Sequence, residues 1–331
     1  MTKTEFLNLN PEIRKYMKND TSLKNICTVT ELQSLDIKKL ERKELCDKSE
    51  YDYKFLAYTI ENYQKLILQM IINGKHKYTI KYTKDRYSKE ELNTMIKNLK
   101  EAYQRMSMKY IGYFNVISSL DIKYTYSYLK GHKQEGLTDI EITVILKENY
   151  KGAIKDIDKY IRLCNYIVKK LKENGKIRDD MSQLEIARVL YNWVVLHVQY
   201  DWTLEKSSQT GLRGLIEGIC VCNGFTSIYN TLCTLCNIEA YAIRGTAGKN
   251  IRSAEPHIWT YLVIDGKKHF IDVTWGNVEY GIKDKEKREN FESLLLKYKI
   301  DKMAFCDFTY FDMSKYKMKS EHFWNNTEYK L

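Results

Sequence analysis

The chain has 331 residues, of which 44% are hydrophobic and 13% aromatic, and its formal net charge at pH 7 is +11. This composition provides enough apolar side chains for a folded core and excludes a mainly disordered chain. The length allows two or three domains of roughly 100–200 residues each. No run reaches the ~20 apolar residues that a membrane-spanning helix needs, and no hydrophobic signal segment is visible at the start. We therefore predict a cytoplasmic protein without a membrane span.

The positive charge is concentrated in the first part of the chain. Residues 1–180 contain 35 Lys and Arg against 25 Asp and Glu, whereas residues 181–331 contain 19 against 18. An anionic partner for residues 1–180 is one explanation. We favour a compositional bias, because the basic residues are interleaved with acidic ones and form no run of five or six like charges.

Residues 1–180 are predicted to form a basic accessory region, with a helical part at 1–75 and a small α+β module at 76–180. The apolar spacing changes between the helical and the strand period along this region. The predicted elements, in chain order, are a helix at 51–73, a strand at 78–82, a helix from Ser88 to about 108, strands at 122–128 and 140–146, and a helix at 151–174. We place the boundary of the next domain near residues 175–181.

Residues 181–331 are predicted to form the second domain. Ser182 and Glu185 make a capping box at the start of an amphipathic helix. After it we predict a loop at 201–213, a second helix that runs to Cys236, a strand near 241–243, and two strands at 257–264 and 268–274. Asp265-Gly266 between the last two strands is a strong hairpin pattern.

The hairpin predicts which side chains share a face of the sheet. If Asp265-Gly266 is a two-residue turn, Ile264 pairs with Lys267. By the same register His257 and Asp272 lie on one face, diagonally opposed on neighbouring strands. Diagonal Cβ atoms are about 7–8 Å apart, so a carboxylate at one position can bond an imidazole at the other.

Cys222 is a candidate nucleophile because it precedes a helix, where free N–H groups and the helix dipole favour a thiolate. A cysteine alone at such a place is more often structural. A thiol nucleophile also needs an imidazole and a group that orients it, and His257 and Asp272 supply both. The three residues together favour a catalytic site over a structural cysteine.

The motifs in this region resemble the transglutaminase-like superfamily of cysteine enzymes. The resemblance covers roughly residues 182–325 and implies Cys222, rather than Cys220, as nucleophile, His257 as base and Asp272 as third member. It also implies a papain/transglutaminase-like α+β core, in which a Cys-bearing helix packs on an antiparallel sheet. The matching segments are Gly218–Phe225 (GICVCNGF), His257–Trp259 (HIW), Val263–Gly266 (VIDG) and Phe270–Trp275 (FIDVTW).

The resemblance implies amide acyl transfer through a thioester, on a protein or peptide substrate and without a cofactor or metal. Hydrolysis by a peptidase or deamidase is favoured over cross-linking, as in many bacterial members. Asn223 and Trp259 are candidate substrate-binding residues. Departures from the family pattern, at Cys220, Asn223, Thr226 and Thr260, bear on substrate preference more than on the triad.

Three other interpretations stay open. A zinc site could use four clustered thiols, although two of them lie on an apolar helix without a knuckle turn; these are Cys220, Cys222, Cys233 and Cys236. A scaffold that has kept the fold without activity is a second interpretation. The alternating tyrosines at 124–128 could stack on nucleic acid, but no recognised nucleic-acid motif accompanies them, and we do not expect such binding.

His269 and His322 are expected to be ordinary strand histidines outside the site.

Overall fold

A computed structural model describes residues 21–45, 57–84, 86–129, 136–277 and 308–325, together with residues 289 and 293. It is a mixed α+β structure with antiparallel sheets, which confirms the predicted fold class. The helices are α1 (Val29–Ser34), α2 (Ile60–Ile72), α3 (Lys89–Lys109), α4 (Ile111–Phe114), α5 (Asp156–Glu173), α6 (Gln183–His197), α7 (Gly211–Glu217), α8 (Cys222–Leu235) and α9 (Lys315–Met318). The strands are β1 (Lys77–Tyr82), β2 (Ile117–Tyr128), β3 (Leu137–Glu148), β4 (Gln199–Tyr200), β5 (Ile219–Cys220), β6 (Glu239–Ala247), β7 (Glu255–Ile264), β8 (Lys267–Ile271) and β9 (His322–Phe323). Short 3-10 segments are Thr21–Asn25, Ile37–Lys39, Ala153–Lys155, Lys206–Gln209 and Phe308–Tyr310.

The chain divides into two compact units whose limits differ from the predicted domain boundary near 175–181. One unit joins residues 1–43 to 160–331, and the other is 44–159. The first unit includes most of α5 because the Tyr160 hydroxyl hydrogen-bonds Thr231 Oγ1 of α8 at 3.0 Å. It also includes an N-terminal segment, since the Trp193 indole of α6 donates to the Ile26 carbonyl at 2.8 Å. Both contacts join residues far apart in sequence, which local patterns do not reveal.

The unit formed by residues 44–159 contains a three-stranded antiparallel sheet in the order β1-β3-β2. The predicted strands are present, and β2 and β3 extend beyond their predicted limits. Ile80, Ile142 and Val144 share the buried face. The alternating tyrosines of β2 are 36–48% exposed and their rings contact one another in sequence order, instead of forming the half-buried sheet face that such spacing usually indicates.

The unit that holds the predicted catalytic domain is built on a four-stranded antiparallel sheet in the order β8-β7-β6-β9. Helix α8 packs on β6 and β7. Helix α6 begins at a Ser182–Glu185 capping box, as predicted, and packs against α8. In the part of the chain that the structure describes, no helix is both long and apolar enough to cross a bilayer.

The β7–β8 hairpin has the register that its turn sequence predicts. Ile264 pairs with Lys267 and Thr260 pairs with Ile271. Asp265 and Gly266 both have positive φ, 49° and 71°, as a two-residue type I′ turn requires. The register of this hairpin fixes which residues of β7 and of the segment after β8 share a face.

A substitution at Gly266 tests the assigned turn. A Cβ added to Gly266 meets no atom within 4 Å, so Gly266→Ala would add only the cost of a left-handed backbone. We expect Gly266→Ala to lower the free energy of unfolding by about 1–2 kcal/mol, measured by urea denaturation. Asp265→Asn is the matched control, because Asn-Gly suits a type I′ turn and should not destabilise. An unchanged midpoint in Gly266→Ala would contradict the assigned turn.

Candidate active site

Cys222 is the first residue of α8, and its side chain is partly exposed. The N-cap residue Val221 is extended, and its side chain does not cap the helix. The first N–H groups of α8 can therefore donate hydrogen bonds to another partner. Gly218 ends α7 with a left-handed φ of 72° and turns the chain toward β5. Gly224 is required for a different reason, because a Cβ there would lie 2.5 Å from the side chain of Cys220.

The segment between α6 and α8 holds the start of α8 in place. Parallel strands β4 and β5 pair, and the Asp201 amide donates to the Cys220 carbonyl at 3.0 Å. The Val221 amide donates to the Ser208 carbonyl at 3.0 Å. The Asn223 side-chain amide donates to the Gln209 carbonyl at 2.9 Å. These bonds fix the backbone on both sides of Cys222.

A buried ion pair stabilises the same segment. Asp201 is 4% exposed; its Oδ1 accepts from the amide and hydroxyl of Thr203 at 2.9 and 2.7 Å, and its Oδ2 accepts from the Ser208 hydroxyl. Arg213 approaches the same carboxylate at 3.5 Å and also pairs with Glu205 and Glu217 at 2.8 Å. Burial opposes ionisation of Asp201, but the hydroxyl donors and Arg213 outweigh it and lower its pKa.

The structure brings the three predicted catalytic residues together. His257 on β7 and Asp272, just past β8, are both buried, and His257 Nε2 lies 2.7 Å from Asp272 Oδ2. The Cys222 side chain is also near enough to His257 to contribute to the raised pKa of its ring. Because Nε2 is engaged by the carboxylate, Nδ1 is the ring nitrogen available to the thiol. The diagonal contact predicted from the hairpin register is therefore present.

Asp272 is a fully buried carboxylate whose two oxygens each accept two hydrogen bonds. Oδ1 accepts from the amides of Thr274 and Trp275 at 2.9 and 3.1 Å. Oδ2 accepts from His257 and also from His322 Nε2, which lies 2.9 Å away. Four donors satisfy the lone pairs of a charge that would otherwise be costly to bury.

The expectation that His322 is an ordinary strand histidine outside the site is wrong. His322 lies on β9, at the far edge of the sheet from β8, and only the tertiary fold carries its ring to Asp272. His269 does lie outside the site and pairs with Asp312 at 2.7 Å.

The electrostatics of the pair favour an imidazolium beside a carboxylate. Burial of the ring lowers the pKa of His257, but the Asp272 carboxylate and the Cys222 thiol outweigh burial and raise it to about 10. Burial likewise opposes ionisation of Asp272, and the donors His257 and His322 bring the pKa of Asp272 well below its usual range. Both shifts favour the charged form of the respective side chain.

The two residues named as candidate substrate contacts make internal contacts here. Asn223 holds the loop at Gln209, as described above. Trp259 is fully buried, with its ring 6.0 Å from that of His257 and 4.8 Å from that of His322. Both residues border the triad, and their role toward a substrate stays a prediction.

The thiols of the alternative zinc site do not converge. Among the described residues, the one group of three or more His, Cys, Asp or Glu ligand atoms within 4.8 Å of one another consists of His257, Asp272 and His322. Their atoms are already joined by hydrogen bonds through a single carboxylate oxygen. Cys220 and Cys233 are fully buried, and burial raises the pKa of both thiols, as expected of core cysteines.

Residues 172–275 match the sequence profile described as the transglutaminase-like superfamily. The matched range includes Cys222, His257 and Asp272 and ends before His322. The chain therefore contains a transglutaminase-like superfamily domain.

Two curated relatives are both kyphoscoliosis peptidases. The human protein is 22% identical over 152 residues, which is 40% of this chain and 22% of that protein. The mouse protein is 20% identical over 115 residues, covering 30% and 17%. The chain thus spans about a fifth of the length of the curated relatives that it matches.

Two solved structures are similar in part. One, called a "Putative Cysteine Protease" from Cytophaga hutchinsonii, has a TM-score of 0.29 and 18% identity, and covers 47% of this chain and 64% of that one. The other, called a "TGase", has a TM-score of 0.28 and 16% identity, and covers 60% and 51%. Similarity of this extent carries no argument about the chemistry of this chain.

The buried pair predicts how stability depends on pH. The pKa of His257 is higher in the folded protein, about 10, than its ordinary value of 6.5, so the folded state binds more protons between these values. Stability from this group is fully present below pH 6.5 and is lost as pH rises through about 10. We expect the unfolding free energy of the wild type, from urea denaturation, to fall more steeply over this interval than that of His257→Gln. Parallel curves would contradict the charged pair.

Proposed function

We propose that this protein is a cysteine-dependent amide acyltransferase that acts mainly as a hydrolase, a peptidase or deamidase, through a thioester on Cys222. The observation that carries the proposal is the buried His257–Asp272 pair, 2.7 Å apart, beside Cys222, which starts a helix and contributes to the raised pKa of the imidazole. A thiolate is stabilised by a neighbouring imidazolium and by helix N–H groups. The raised pKa of His257 supports the imidazolium form.

The proposed reaction has two stages. The Cys222 sulfur attacks the carbonyl carbon of an amide, and N–H groups at the start of α8 can donate to the oxygen as it becomes negative. The C–N bond breaks while His257 gives its proton to the leaving nitrogen, which leaves a thioester. Water then attacks the thioester carbonyl while His257 takes its proton, the C–S bond breaks, and the carboxylic acid leaves with Cys222 restored as a thiolate beside the His257 imidazolium. An amine in place of water would give a new amide, which is cross-linking.

We favour hydrolysis because of the names of the similar proteins. The proposal does not rest on a feature of the site that selects water over an amine. Two curated relatives are called peptidases. We propose a protein or peptide substrate on the same basis. The reaction as written needs no cofactor or metal, since the thiol, imidazole and carboxylate supply every proton transfer.

Thiol reactivity tests the activated nucleophile, and α8 provides its own control. Cys222 and Cys236, at the two ends of this helix, are both partly exposed. Burial, against the lowering effect of Lys172 and Lys43, raises the pKa of Cys236 to about 11. With iodoacetamide at pH 7, we expect alkylation of Cys222 to be at least roughly ten-fold faster than that of Cys236, read by peptide mass spectrometry. His257→Gln should slow Cys222 and leave Cys236 unchanged.

Equal rates at Cys222 and Cys236 would favour the alternative that the domain is a non-catalytic scaffold. The same conclusion would follow if His257→Gln left the Cys222 rate unaltered. In either case the three side chains would keep the geometry of a triad, but the Cys222 thiol would not be activated.

A substrate screen tests the reaction type. We would incubate native lysate with the wild type or with Cys222→Ala and compare peptides by mass spectrometry. We expect new peptide ends or deamidated side chains with the wild type only, because the variant lacks the sulfur that forms the thioester. Cys236→Ser is the matched control and should behave like the wild type. Cross-linked peptides as the main product would overturn the preference for hydrolysis, and identical products with Cys222→Ala would overturn the proposal.

A further inference from the structure

The segment 308–325 contacts both edges of the four-stranded sheet. At the β8 edge, Tyr310 accepts a hydrogen bond from the Asp272 amide at 2.9 Å, and Met313 donates to Phe270 at 2.8 Å. At the opposite edge β9 pairs with β6, where His322 lies opposite Ala247. The same segment therefore holds the backbone of Asp272 and presents His322 to its side chain.

Gly245 allows β9 to come this close. Gly245 lies on β6, opposite His257 of β7. A Cβ added to Gly245 would be 2.3 Å from the Phe323 carbonyl oxygen and 2.9 Å from the Trp259 ring. Any other residue would push β9 away from β6. The absent side chain at this position is thus tied to the placement of His322.

The His322 ring is fully buried and tightly surrounded. The rings of Trp259 and Trp275 lie 4.8 and 4.6 Å from it, centroid to centroid. Nε2 is 2.9 Å from Asp272 Oδ2, and no group among the described residues hydrogen-bonds Nδ1. Since Asp272 is ionised and can only accept, the proton of the ring must be on Nε2. A second proton, on Nδ1, would be buried without an acceptor.

We infer that His322 is a positioning residue for the triad, acting as an uncharged donor that holds Asp272 Oδ2 toward His257. The backbone amides of Thr274 and Trp275 fix only Oδ1. The His322 bond fixes the second oxygen, and with it the plane of the carboxylate. His322 touches Asp272 and not the thiol, so it acts through the carboxylate.

The absence of charge on this donor matters. A cation beside Asp272 would cancel the field that stabilises the His257 imidazolium, as Coulomb energies at these distances are large in a buried site. A neutral N–H satisfies the lone pair of the carboxylate and leaves its negative charge in place. An ionised Asp272 can then both orient His257 and stabilise its positive charge.

This inference rests on the proposed function, and its test has readouts that do not need a substrate. We would compare His322→Leu, which removes the donor, with His322→Gln, whose side-chain amide keeps an uncharged donor near the position of Nε2. His269→Leu is the matched control, since it breaks another His–Asp contact of the same sheet, partly exposed and away from the triad. The readouts are turnover of a substrate found by the lysate screen, alkylation of Cys222, and the ring N–H resonances of histidine in NMR spectra.

We expect His322→Leu to lower kcat and the Cys222 alkylation rate about 10–100-fold, as a displaced catalytic group does, with KM nearly unchanged. The low-field N–H resonance of His257 should move or disappear. His322→Gln should restore most of both rates, and His269→Leu should change neither. If His322→Leu keeps wild-type rates, or if His322→Gln is as impaired as His322→Leu, the positioning role is wrong.

The outcomes separate this inference from the proposed function. Cys222-dependent turnover that is unaffected by His322→Leu would overturn the inference alone. Absence of any turnover, with alkylation and the His257 resonance still dependent on His322, would overturn the function and leave the inference standing. Should His322→Leu not fold, labelled wild-type protein decides: the inference requires a slowly exchanging Nε2 proton on His322, and finding the proton on Nδ1 would overturn it.

Discussion

The site depends on one buried carboxylate. Asp272 has no exposed surface, and a bare carboxylate in such a place would be neutralised or would unfold the surroundings. It is kept ionised by donors that arrive from two backbone amides and two imidazoles. Those donors belong to the β7–β8 hairpin, to the turn after it and to the segment 308–325. The hydrogen bonds to this one carboxylate therefore connect the parts of the structure that form the site.

The triad could be predicted because its geometry is almost entirely local. His257 and Asp272 are fifteen residues apart and belong to one hairpin. Once Asp265-Gly266 specifies a two-residue turn, strand periodicity decides their common face. Cys222 was identified by its place before a helix and by the surrounding motif. Its contact with His257 depends on α8 packing against β7, which the family resemblance implied and which spacing alone does not give.

What sequence reasoning missed was set by long-range contacts. His322 is fifty residues from Asp272 and two strands away from β7, so no period or turn relates them. The limits of the compact units depend on the same kind of contact, since Tyr160 and Ile26 join the unit that holds the candidate site through buried hydrogen bonds to distant elements. Gly245 was visible as a glycine, but the atoms that exclude a Cβ there belong to Phe323 and Trp259, which lie on other strands.

Two buried aspartates of this unit, Asp201 and Asp272, have their charges balanced by different kinds of partner. Asp201 meets a fixed cation, Arg213, together with hydroxyl donors. Its charge is balanced permanently, which suits a residue that holds a loop. Among the described residues, the donors to Asp272 are two backbone amides and the imidazoles of His257 and His322. In the proposed mechanism its charge is balanced by the His257 imidazole, which gains and loses a proton. That asymmetry makes the His257–Asp272 pair suited to proton transfer, whereas the Asp201–Arg213 pair is suited only to support.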